Sequence, residues 1–193
     1  GLIVDGDIDV TGEIIFNGDL DVTGGITATG LDVTGTTTTN ALLSSAASAG
    51  ANAFSAGNAA GQTTQGSNAV AVGNAAGNST QGDYAVATGY AAGQTNQGGN
   101  SVAVGQKAGT TNQGSNAVAV GNAAGNSTQG GSSVAVGLLA GNNTQGSSAT
   151  AIGRSAGQTT QGTSSVAVGD SAGNDTQGAS ATAVGISAGQ TTQ

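Results

Sequence analysis

The sequence predicts an all-β fibrous fold: a homotrimer of parallel β-solenoid, or β-roll, coils of sixteen residues, preceded by a short repetitive β shaft. Three observations carry this. A sixteen-residue pattern restarts without insertion or deletion from Gly50 to Gln193. Inside each unit, Val alternates with Ala at period two, as in Val118-Ala-Val120. Finally, 37 of the 193 residues are Gly, while Pro, Cys, His, Met and Trp are lacking.

Residues 1–40 come first and form an acidic module of their own. An Asp-Val-Thr-Gly motif ends at Gly12, Gly24 and Gly35. Ile8 and Val10 alternate with Asp7 and Asp9, and Leu20 and Val22 alternate with Asp19 and Asp21, the pattern of short half-buried strands between Gly turns. Seven of the ten acidic residues lie here and no basic one does. Strand alternation spreads these carboxylates along a face, whereas a Ca²⁺ site needs six to eight oxygens converging from a loop. Residues 41–49 form a joint that has the composition for one or two helical turns.

Residues 50–193 hold nine units. Comparison of the units shows which positions the coil constrains. Position one is always Gly, position eight is always Gly (Gly73, Gly121), and positions eleven and twelve are always Ala-Gly (Ala76-Gly77). Position sixteen is always Gln (Gln81, Gln129), and positions five and seven are mostly Val (Val118, Val120). The expected secondary structure is one strand over positions three to seven and a second extended piece over thirteen to fifteen. Gly every few residues argues against helix, at about 1 kcal/mol each relative to Ala. Parallel stacking would advance about 4.8 Å per coil. The invariant Gln is expected to stack on its own copies as an amide ladder. Val118 and Val120 are expected in the core, so that Val118→Asp breaks the stack while Asn122→Asp, at the variable position nine, is silent.

A coil of this size has little to bury. Two Val contribute roughly 3–6 kcal/mol, against at least roughly 16 kcal/mol of backbone entropy for sixteen residues. Ladder hydrogen bonds add about 1 kcal/mol each, which makes a single chain marginal; we therefore expect a homo-oligomer, three chains about one axis, with the small Ala face allowing close approach.

Composition also excludes chemistry. Without Cys or His there is no thiol nucleophile, no imidazole base, no disulfide and no ordinary Zn site. The net charge is -8 with only Lys107 and Arg154 positive, which speaks against a nucleic-acid groove. No apolar run reaches the ~18–20 residues of a membrane helix, and nothing basic precedes Leu2–Val4 as in a signal peptide. The chain starts at Gly1 and lacks Met, so a processed or partial chain with further domains is expected. In the repeats only Asp83, Asp170 and Asp175 are acidic, too few and too variable in position for a paired-carboxylate enzyme. We therefore expect no catalytic residues, no cofactor and no metal. Adjacent Thr at positions fourteen and fifteen would point to opposite faces, which disfavours an ice-binding surface. Asn78, Asn126, Asn142 and Asn174 fit the Asn-x-Ser/Thr pattern at one repeat phase, which Asn at a turn explains more simply than glycosylation.

The units Asn116-Ala-Val-Ala-Val-Gly121 and Ser133-Val-Ala-Val-Gly137 resemble the head repeats of trimeric autotransporter adhesins, whose usual unit is about two residues shorter. That resemblance implies trimers of left-handed parallel β-rolls that bind host surfaces. Residues 19–30, followed by Thr36–Thr39, resemble the repetitive shafts of bacteriophage tail fibres, and the Ala-Gly-Gln-Thr-Asn-Gln-Gly unit is similar to those in fibres of phages and large viruses. The second resemblance spans both halves of the chain. It implies a structural segment of a virion appendage that supports host attachment, its partners being its own copies and, through flanking domains, a host receptor or glycan. The implied location is the virion surface or extracellular space, without membrane insertion. A cell-surface adhesin or extracellular filament is the alternative.

Overall fold

Each coil is made by two tight turns and the extended pieces between them. In a computed structural model that describes residues 50–193, Ala69 N–H donates to Gly66 C=O at 3.3 Å and Ala76 N–H to Gly73 C=O at 3.3 Å, closing the turns of the second coil. The third residue of each turn is left-handed, with φ +57° at Asn68 and +55° at Ala75. A positive φ at that point is the mark of a type II turn and favours Gly or Asn. Position three obliges with Asn or Ser in eight coils and Tyr84 in the remaining one.

A three-residue strand follows the first turn, as in Val70–Val72, and a two-residue strand follows the second, as in Thr80–Gln81. Every strand pairs in parallel with its equivalent one repeat away: Val118 with Val134, Gln129 with Gln145. The result is a nine-stranded sheet from Phe54–Ala56 to Thr182–Val184 and an eight-stranded sheet from Thr64–Gln65 to Thr176–Gln177. The described residues thus form a parallel β-solenoid of about eight coils, with no helix. Both strands are shorter than expected. Positions three and four are spent on the first turn, and position fourteen is a bend, so the second strand is fifteen to sixteen instead of thirteen to fifteen.

Backbone pairing does not stop at the strands. Asn68 N–H donates to Ala51 C=O and Ala75 N–H to Asn58 C=O, each at 2.8 Å, and Gly77 N–H donates to Ala92 C=O at 2.9 Å. Turn residues thereby satisfy their polar groups on the neighbouring coil, as buried backbone must. Such pairing requires the corners of successive coils to lie very close. A Cβ added to Gly73, where φ is +123°, would sit 2.7 Å from the carbonyl oxygen of Gly89. Position eight therefore has no alternative to Gly.

The interior reverses one expectation. Ala69, Ala71 and Ala76 are wholly buried, Gln81 nearly so, and Val70 and Val72 are only half-buried on the outside. The same holds in the fifth coil: Ala119 is buried, whereas Val118 and Val120 face outward. Strand parity places positions four and six on one side and five and seven on the other. The opposite wall decides which side is inside. That wall carries the Gln side chain of position sixteen and the Ala-Gly pair of positions eleven and twelve, and the space left in so narrow a coil fits a methyl group. The core is a column of Ala side chains running the length of the stack. The shaft over 1–40 and the joint over 41–49 lie outside the described residues.

Candidate functional site

The invariant Gln is held by the backbone instead of by its own copies. Gln129 Nε2 donates to Val118 C=O at 2.7 Å, across the lumen of the same coil. The equivalent bond recurs from Gln65 to Gln193, at 2.7 to 3.0 Å. In several coils the same amide also reaches position four of the next coil, as from Gln81 to Ala85 C=O at 3.2 Å. The expected amide ladder is not formed, because the side chain points across the coil and not along the axis. Its Oε1 is buried without a hydrogen-bond partner in eight coils and rests against the Gly of position twelve. A Cβ on Gly125 would lie 2.6 Å from Gln129 Oε1. Gly77 and Gln81, like Gly125 and Gln129, are thus one packing unit, and Ala76 completes it from the lumen. Gly121 repeats the corner seen at Gly73, with φ +128°.

Two surfaces face outward. On the first, positions five and seven stack coil upon coil into a strip whose eighteen positions hold twelve Val, three Thr, Phe54, Ala56 and Ile152. Val104, Ile152 and Val184 are exposed at 37%, 40% and 65%, and the other Val side chains of the strip are half-buried. With nine rungs about 4.8 Å apart the strip is about 40 Å long. Among the described residues this is a continuous band of mostly apolar side chains on the outer face of the nine-stranded sheet. Val118 and Val120, expected in the core, lie on this outer strip.

The second surface is polar. Thr dominates position fifteen, with Asn96 and Asn112 in its row joined at 2.9 Å. Position fourteen is exposed or half-buried beside it, so the two adjacent rows do not diverge to opposite faces as expected. The cause is the bend at position fourteen, which breaks strand alternation. Position thirteen turns back toward the coil: Asn78 Nδ2 donates to Ala59 C=O at 2.8 Å and Asn142 Nδ2 to Ala123 C=O at 2.8 Å, with Asn126 and Asn174 doing the same. This accounts for Asn at that phase. These amides tie one coil to the carbonyl of the turn before it.

The remaining singled-out side chains lie on the edges. Tyr84 and Tyr90 are 61% and 52% exposed at the two ends of one strand. Leu138 and Ile186 occupy position nine three coils apart, separated by Arg154 and Asp170, so they form no common patch. Arg154 and Asp170 pair between coils at 2.7 Å. The Arg154 hydrogen bond, helped by one from Ser171, holds the Asp170 carboxyl below the ordinary Asp range. The small stability this adds is present above the ordinary range and is lost as pH falls through the lowered value. Among the described residues no three metal-ligating side chains come together. Comparison with family models, with characterised proteins and with solved structures returns no match.

Proposed function

We propose that the chain is a structural segment of a virion appendage, a homotrimeric fibre that supports host attachment and carries no catalytic activity. The observation that supports it most is the outward Val strip. A solenoid that fills its own lumen with Ala and Gln needs no Val outside, yet Val recurs there in nearly every coil. Taken as about 10 Å wide, a strip about 40 Å long offers about 400 Å². A stable pair buries about 800 Å² on each partner, so the strip alone is too small for a two-chain contact. Three chains around an axis bury the strip together with the rows on both of its flanks. The polar Thr and Asn surface is then left for solvent. The shaft-like repeat of residues 19–30 joins the solenoid to the same fibre reading.

A cell-surface trimeric adhesin is the second reading, favoured by the Val-Ala-Val-Gly units themselves. A secretion signal or a membrane anchor in the complete gene identifies that alternative. In either reading the receptor is met by flanking domains, at the virion surface or in the extracellular space.

Native mass spectrometry of the purified chain tests the assembly. The expected result is a species of three times 17.8 kDa that resists mild detergent. A monomer at micromolar concentration overturns the trimeric fibre.

A further inference from the structure

We infer that Thr88, Thr150 and Thr182 fix the register in which copies of this chain associate through the Val strip. The inference rests on the homotrimeric reading above and adds what that reading lacks, a reason for the copies to align.

A strip of repeated Val is poor at specifying alignment. Sliding one copy by a whole coil exchanges Val for Val at most rungs, so apolar burial alone barely distinguishes the registers. Coiled coils face the same degeneracy and resolve it with a single polar residue in the apolar seam, at some cost in stability. Three rungs of this strip are polar. Thr88 occupies position seven of the third coil, Thr150 position five of the seventh, and Thr182 position five of the ninth. Strand registry places all three on the outer face: Thr88 beside Val72 and Val104, Thr150 between Val134 and Val166, and Thr182 beside Val166. Thr88 and Thr150 are half-buried already in one chain.

The spacing of the three leaves one solution. In a parallel three-fold assembly without offset, each hydroxyl meets the same hydroxyl of its neighbours and can both donate and accept. An offset of one coil sets Thr88 and Thr150 against Val in both copies, and Thr182 against Val166 in one copy and past the last coil in the other. An offset of two coils sets Thr150 of one copy against Thr182 of the next, but leaves the other Thr150 against Val118 and Thr88 against Val120 or Ala56. An offset of four coils brings the third and seventh rungs level, yet Thr88 then faces Ile152 and Thr150 faces Val86, because the two Thr occupy different positions in the strand. A hydroxyl pressed between Val side chains without a partner opposes each of these offsets. No other alignment satisfies all three.

The test uses the full chain and its lack of native Cys. One population carries Asn74→Cys and a spin label near one end of the solenoid. The other carries Ile186→Cys near the opposite end. They are refolded together, and the distance between the two labels is read by pulsed electron resonance. The unaltered strip should give one distance. Thr88→Val, Thr150→Val and Thr182→Val combined should keep the trimeric mass, raise the melting temperature and split the distance into populations offset along the axis by about 4.8 Å, one coil. Thr88→Ser, Thr150→Ser and Thr182→Ser combined should restore the single distance. A trimer that keeps one distance in the triple Val variant overturns the register role while leaving the trimer intact. A monomeric unaltered chain overturns both.

Discussion

At the scale of single residues, the repeat is held by a pair that is four positions apart. Gly125, with φ +52°, gives Gln129 the room to lay its amide across the lumen and reach Val118 C=O. Left-handed backbone costs an L-residue roughly 1–2 kcal/mol, and the added Cβ also displaces the amide. Gly125→Ala should therefore lose more than Gln129→Ala, which gives up one hydrogen bond, about 1 kcal/mol, and leaves a cavity. The two losses should not add. In Gly125→Ala with Gln129→Ala the clash is gone, and the double variant should melt well above the sum of the singles in a denaturant cycle. Additive losses would show that Gly and Gln serve the coil separately.

At the scale of the strand, parity is the determining property. Val118 and Ala119 are neighbours with opposite surroundings, one half-exposed and the other wholly buried. A charge at Ala119 has no water and no partner, and an unpaired buried charge costs several kcal/mol. Ala119→Asp should unfold the coil at pH 7, read as loss of strand signal in circular dichroism. Val118→Asp keeps its carboxylate in solvent and leaves the coil paired, so its effect should appear as a smaller native mass with strand content retained. Equal loss of strand content in both variants refutes this assignment of inside and outside. The Val expected to hold the stack together instead faces whatever the stack touches.

At the scale of the molecule, the solenoid is quasi-one-dimensional: each coil touches only its neighbours, and stability is approximately a sum over coils and their contacts. Removal of residues 114–129, one whole coil, should leave a cooperative fold with a modestly lower melting temperature, because Gly130 takes the place of Gly114 in every pairing. Deletion of Asn122 alone is a smaller change with a larger expected effect. It removes a central residue of the turn that follows Gly121, together with the carbonyl that Leu139 N–H uses, so the fifth coil cannot close in register with its neighbours. Thermal melts of the two deletions, compared with the unaltered chain, give the ranking. A milder effect from the single deletion than from the coil deletion contradicts a fixed sixteen-residue register.

The length of the coil, its parallel stacking and the places where only Gly serves were legible in the sequence, because those properties act between equivalent positions and repetition displays them. The invariance of Gln was legible too, although its partner was not. Its bond runs across the lumen to a carbonyl eleven residues earlier, and no spacing in one dimension shows which wall lies opposite. For the same reason, alternation alone does not choose between the Val side and the Ala side of one strand. Alternation defines two faces; the width of the closed coil, set by the Gln arm and the Ala-Gly pair opposite, admits only the smaller. That choice puts Ala in the core and turns the expected core of Val into an outward apolar strip.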